Sequence, residues 1–246
     1  AEPVRRRRLD APLVGRTNEV ALLDGTFQRA VRERRPQLVT ILGPAGVGKS
    51  RLFSELAGAH PEVTVRLGRF LPYGTTSMWA VAEILRADCG ILRNDAPAAA
   101  GAKLNARLAA LLAPESTREH EAIYTQLSRV LALGRREETL RGEDAREELF
   151  WALRRFVEML ATQRPLILAF EDAHSADAEL LDLIESLART AIGPILIVCL
   201  ARPELLALRS GWGGGQPNHT SLFLEPLPEA ETQTLIASLL STTRVP

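Results

Sequence analysis

Lysine is scarce in this chain of 246 residues: Lys49 and Lys103 are the only two among 30 basic side chains. The bias toward arginine is overridden at just these two places, one of them in the loop discussed below. Cysteine is scarce too. Cys89 and Cys199 lie far apart in apolar surroundings, which excludes a cysteine metal motif and a secreted disulfide framework and makes a reducing cytoplasm the simplest home. Charge of one sign is missing, since 30 acidic residues balance the 30 basic ones, so no general attraction to nucleic acid or an anionic membrane is expected. No segment approaches the roughly 18 uninterrupted apolar residues of a membrane span. The opening "AEPVRRRRLD" lacks the apolar core of a signal peptide. The chain reads as soluble and untargeted, and its 46% hydrophobic content supports a sizeable core.

Along the chain, residues 1–12 read as a charged linker in which Arg5 to Arg8 form a solvated tether. From Thr17, apolar residues at Val20, Leu22, Leu23, Phe27 and Val31 follow helical spacing. "QLVTILG" reads as a buried strand, "KSRLFSELAGAH" as a helix and "VTVRLGRF" as a second strand. A helix-rich stretch follows, from about residue 76 to 163, with "DAPAAAGAK" expected as a loop inside it. Its best-defined helix opens on a capping-box pattern, Asp144 with Glu147, and carries Leu149, Leu153, Phe156, Val157 and Leu160 on one face. "PLILAFED" and "PILIVCLARP" are strand-length apolar runs joined by the amphipathic "ADAELLDLIESLART", a βαβ pattern. "RSGWGGGQPNHT" is expected as a flexible surface loop and "SLFLEPL" as a last strand.

Gly43, Gly48, Lys49 and Ser50 fill the pattern G-x-x-x-x-G-K-[ST] between a strand and a helix. Glycines let the backbone curl so that successive N–H groups of Gly43, Pro44, Ala45, Gly46, Val47 and Gly48 surround an anion, proline excepted. The following helix, which carries Arg51 as a further candidate beside the nucleotide, turns its positive end toward the same anion. Lys49 supplies a mobile charge for β- and γ-phosphates and Ser50 a hydroxyl for Mg²⁺. A P-loop also needs acids at the carboxyl end of a neighbouring strand. Glu171 and Asp172 emerge together after the apolar "LILAF", where one can hold Mg²⁺ through water and the other can accept a proton from an attacking water. His174 and Asp177 follow, either as water-positioning groups or as a helix cap and a surface residue. Arg202, at the end of the next strand, reads as a sensor of the terminal phosphate, against the alternative of a salt bridge to Glu204.

With "LVGRTNE", "GPAGVGKSRL", "GRFLPYG", "LAFEDAHSADAELLDLI", "CLARPEL" and "LEPL" in place, the chain resembles the STAND class of signal-transduction ATPases within the AAA-like P-loop group. The likeness is to the modules of bacterial LuxR-type regulators and nucleotidyl cyclases. It implies an α/β, three-layer P-loop NTPase domain over 13–225 with a parallel sheet in the order 5-1-4-3-2 and a helical insertion. The start of a C-terminal helical domain is implied over 226–246. It further implies that Val14, Gly15 and Arg16 line the adenine and ribose, that Arg202 is the first sensor and that Pro226 touches adenine. Glu171 departs from the Asp usual at the metal position in such proteins, and Ser175 replaces a common aromatic.

The reading favoured is a regulatory switch that binds ATP or ADP with Mg²⁺ and hydrolyses slowly, inside a larger bacterial signalling or transcription-regulating protein. A cyclase or a helix-turn-helix is the expected output domain, and nucleotide-dependent self-association stays open. The alternatives are a non-hydrolysing nucleotide scaffold, a P-loop kinase and an initiator-type AAA ATPase.

Overall fold

A computed structural model describes residues 13–70, 78–113, 116–133 and 143–242. In chain order these form α1 (Thr17–Glu33), β1 (Gln37–Leu42), α2 (Lys49–Ala59), β2 (Thr64–Arg69), α3 (Trp79–Cys89), α4 (Pro97–Leu111), α5 (Thr117–Leu133) and α6 (Glu143–Gln163). They continue with β3 (Leu166–Glu171), a 3₁₀ turn (Ala173–Ser175), α7 (Ala178–Thr190), β4 (Ile195–Ala201), α8 (Glu204–Leu208), β5 (His219–Phe223) and α9 (Glu229–Thr242). The expected linker 1–12 and its arginines lie outside the described residues, as does "GRFLPYG" beyond Phe70.

The strands are all parallel and stand in the order β2-β3-β4-β1-β5, which is 5-1-4-3-2 read from the other edge. Apolar residues on both faces explain why β1, β3 and β4 are central: a parallel sheet needs cover on each side. Side chains alternate along each strand. Leu38, Leu42, Leu168, Phe170, Ile197 and Cys199 therefore pack under α3 to α8. Val39, Ile41, Ile167, Ala169, Val198 and Leu200 meet Leu23 and Phe27 of α1 and Leu52, Phe53 and Leu56 of α2. The result is three layers, with α1 and α2 covering one face. Leu22, expected on the buried stripe of α1, is instead 39% exposed, and Ala30 takes its place. Among the described residues no helix is long and apolar enough to cross a membrane.

Three local expectations need correction. The alanine-rich "DAPAAAGAK" is no loop: Pro97 opens α4, a place where its missing N–H costs nothing, and alanines propagate the helix toward buried Leu104 and Leu108. Lys103 staples the approach, donating to Asp95 Oδ2 at 2.6 Å and to the Gly90 carbonyl at 3.0 Å. α6 begins at Glu143, so Asp144 lies within the first turn instead of capping it, while Leu149, Leu153, Phe156, Val157 and Leu160 are buried as expected.

The third concerns "RSGWGGGQPNHT", whose glycines suggested a free surface loop. Trp212 is buried, and its Nε1 donates to the Oγ1 of fully buried Thr40 at 2.8 Å. Asn218 Nδ2 donates to the carbonyls of Pro36 and Ala188 at 3.0 and 2.7 Å. The aromatic anchor and the two Asn218 hydrogen bonds override the flexibility of the glycines.

The Thr40 hydroxyl, accepting from Trp212, has its own proton to give to His219 Nε2 at 3.0 Å. Burial pushes the His219 imidazole below its ordinary value, and Glu185 opposes this only in part. The unfolded chain therefore takes up a proton near pH 6.5 that the folded chain refuses, so stability is complete above that pH and falls as the pH drops below it. Urea unfolding between pH 5 and 8 is expected to show that slope, and His219→Gln is expected to make it shallower, leaving the part that His174, also lowered by burial, contributes.

Candidate functional site

The loop from Gly43 to Gly48 is shaped by contacts that only glycine allows. A β-carbon on Gly43 would stand 2.8 Å from the Leu224 carbonyl oxygen and 2.9 Å from Val47 Cγ1. Gly46 and Gly48 take φ of 78° and 105°, which an L side chain resists. The Gly43 N–H donates to the Ala201 carbonyl at 3.2 Å, fastening the loop to the end of β4. Pro44, Ala45 and Gly46 are exposed and Val47 half-buried, so the loop has an open mouth in front of α2.

Lys49, the first residue of α2, curls back over this mouth. Its Nζ donates to the Gly43 carbonyl at 2.7 Å and the Pro44 carbonyl at 2.9 Å. Burial lowers its pKa; Asp172 opposes that, Arg202 adds to it and Glu204 opposes it again. All three groups therefore lie within electrostatic reach of the ammonium. Arg51, which the motif places beside the phosphates, pairs with Glu55 at 3.1 Å on the side of α2.

The adjacent acids separate. Glu171 closes β3, and its Oε1 accepts from Ser50 Oγ in the first turn of α2. Its Oε2 accepts from Arg69 Nε at 2.7 Å. Asp172 then enters the left-handed region, φ 61°, a conformation Asp tolerates better than most residues, and stays exposed. The kink turns consecutive carboxylates into two different groups, one facing Ser50 and the other raising the pKa values of Lys49 and His174.

His174 Nδ1 accepts the Arg202 N–H at 3.4 Å, tying the tips of β3 and β4 together. Burial lowers its pKa, as an accepting nitrogen requires, with Asp172 opposing. Among the described residues no carboxylate forms an ion pair with Arg202, so the alternative bridge to Glu204 is not made. Asp177 resolves to a cap: its Oδ1 accepts the Leu180 N–H at 3.0 Å and starts α7.

The amino-terminal segment and the chain after β5 meet on the far side of the loop. Val14 is half-buried and Gly15 has φ 67°. Arg16 is only 8% exposed; it donates to Glu19 Oε1 at 3.0 Å and to the Glu225 carbonyl, beside exposed Pro226. Leu224 N–H donates to the Leu42 carbonyl at 2.7 Å, bringing Pro226 to the loop's side of the sheet.

Two neighbours of the site escaped the sequence reading, and a third entered it in another role. Arg69 could have been found from its strand-end position, since β2 pairs with β3 and puts Arg69 opposite Glu171. Glu231, whose carboxylate lies where a Gly15 β-carbon would be, 2.0 Å away, carries no sequence signal. Glu204 was visible only as a partner for Arg202.

The oxygen donors of Ser50, Glu171 and Asp172 suit a hard cation such as Mg²⁺, which usually binds one or two carboxylates and phosphates and keeps its waters. Among the described residues no cluster of three His, Cys, Asp or Glu side chains could hold a metal on its own. Such a cation would therefore depend on a second oxygen source.

A family model described as AAA ATPase domain matches residues 12–198. No curated protein matches the chain. Asp177→Ala is expected to lower the unfolding free energy by about 1 kcal/mol, the usual worth of an N-cap, and to leave nucleotide affinity unchanged. Thermal melts beside a fluorescent-nucleotide titration check both halves.

Proposed function

Because the chain belongs to the AAA ATPase domain family, we propose that it is a nucleotide-operated switch of the STAND class, hydrolysing ATP slowly within a larger bacterial signalling or transcription-regulating protein. The observation that carries this reading is the meeting of three walls at one sheet edge: the Gly43–Gly48 loop, the Val14–Arg16 segment held to the Glu225 carbonyl, and the acids of β3. A nucleotide seated there would touch segments from both ends of the domain.

In this reading the N–H groups of the loop hold the β- and γ-phosphates, with α2 adding its positive end. Lys49 leaves the Gly43 and Pro44 carbonyls for phosphate oxygens, a move within its side chain's reach. Ser50 and Glu171, with Asp172 nearby, would hold Mg²⁺, which when bound would neutralise charge on the phosphates. With both Glu171 oxygens engaged, Asp172 is the acid that accepts the proton of the attacking water. The water oxygen bonds to the γ-phosphorus in line as the β–γ bridging oxygen leaves with its electron pair on ADP. Arg202, without a carboxylate partner, pairs with the γ-phosphate and loses its partner when phosphate departs. Val14, Gly15, Arg16 and Pro226 face adenine and ribose, Arg16 by shaping the wall. α9 would begin the helical domain that moves with nucleotide state and passes it to an attached cyclase or helix-turn-helix domain or to a second copy.

Lys49→Ala is expected to weaken ATP binding at least tenfold, and Asp172→Asn to cut the hydrolysis rate by roughly 10²-fold with little change in KM. Phosphate release measured for all three proteins decides it. Equal rates would remove the enzyme from the proposal, leaving a nucleotide-holding scaffold.

A further inference from the structure

Arg69 ends β2 directly opposite Glu171 at the end of β3. Its Nε donates to Glu171 Oε2 at 2.7 Å while Ser50 Oγ donates to Oε1, so one carboxylate is held from two directions. The backbone is pinned as well. Phe70 N–H donates to the Glu171 carbonyl at 3.1 Å, and Arg69 N–H donates to Glu83 Oε2 on α3 at 2.9 Å.

An ion pair whose arginine side chain is 60% exposed contributes little to folding. Its use lies in direction. Glutamate carries one more rotatable bond than aspartate, so a Glu asked to meet a hydroxyl and the water shell of a cation can swing away from both. The guanidinium Nε is a donor with a fixed bearing, unlike an ammonium, and it occupies the oxygen that points away from α2. Partners that orient metal-side carboxylates commonly alter metal affinity by 10–100-fold.

We propose that Arg69 is the positioning residue for the Mg²⁺ side of the nucleotide site: it clamps Glu171 Oε2 so that Oε1 and the Ser50 hydroxyl act as one cation-facing pair. This rests on the nucleotide reading above, and it gives Arg69 no contact with phosphate.

The test is binding of a fluorescent ADP to the wild-type protein and to Arg69→Ala, Arg69→Lys, Glu171→Asp and the double variant, at a series of free Mg²⁺ concentrations and in EDTA. Arg69→Ala is expected to bind as well as wild type in EDTA but to need about tenfold more Mg²⁺ to reach its tight-binding state. Arg69→Lys should recover part of the shift. With Glu171→Asp, too short to reach Arg69, removing the arginine should add nothing further. An unchanged Mg²⁺ midpoint in Arg69→Ala overturns the proposal, because the pair then only dresses the sheet edge. Equal weakening in EDTA overturns it too, because Arg69 would then be touching phosphate. Circular dichroism checks folding, and Arg69→Gln carries the same two readings where the alanine variant does not fold. Wild-type protein that binds no ADP at any Mg²⁺ concentration sinks the nucleotide reading itself, a result distinct from either.

Discussion

Parallel hydrogen bonding in unbroken register is the constraint on which the site depends. β1 pairs with β4 from Gln37 opposite Leu196 to Leu42 opposite Ala201, β4 pairs with β3, and β3 with β2, each without a bulge. Five strands that start and stop together must release their chains at a single edge. Residues with no sequence proximity, such as Arg69, Glu171, Arg202 and Gly43, are therefore delivered to one rim, on successive strands about 4.8 Å apart. A slip of one residue in β3 would exchange its two apolar faces and carry Glu171 out of line with Ser50. The apolar burial of Ile167, Leu168, Ala169 and Phe170 on both sides prevents this. Packing in the middle of the sheet thus sets distances at its rim.

The parts of the molecule readable in advance are those whose cause is local. The Gly43–Ser50 loop declares itself because glycine, lysine and serine are each needed for a stated physical reason at a stated spacing. β3 and β4 are readable from apolar runs of strand length, and the sheet order follows from family likeness. What escaped was decided across the fold. The alanine run before Lys103 looked like low complexity, yet it is helical once Leu104 and Leu108 have a core to enter. The glycine-rich segment around Trp212 is ordered by Thr40, a residue far away in sequence. Arg69 needed the identity of its neighbouring strand.

Charge at the site is balanced in small compass, as it is over the whole chain. Lys49, Arg202 and Arg69 face Glu171, Asp172 and Glu204, and the pKa shifts of Lys49 and His174 record this mutual influence as well as burial. An anion is drawn in by the placement of cations and helix N–H groups, with no help from the net charge of zero. The two cysteines stand apart from this chemistry. Burial pushes Cys89 up to about 12 and Cys199 higher still, so both behave as small apolar side chains.

The contact between Gly43 and Leu224 bears on how motion is passed on. A carbonyl oxygen 2.8 Å from the place of a missing β-carbon leaves no room for a side chain, and packed protein compresses poorly. The loop cannot flex toward β5 and absorb the displacement there. The N–H of Leu224 is also held at 2.7 Å by the carbonyl of Leu42, the residue just before Gly43, so the loop, the end of β1 and the short stem ahead of α9 form one packed joint. The root of the last helix is thereby seated directly against the backbone of the loop, with no spacer between them.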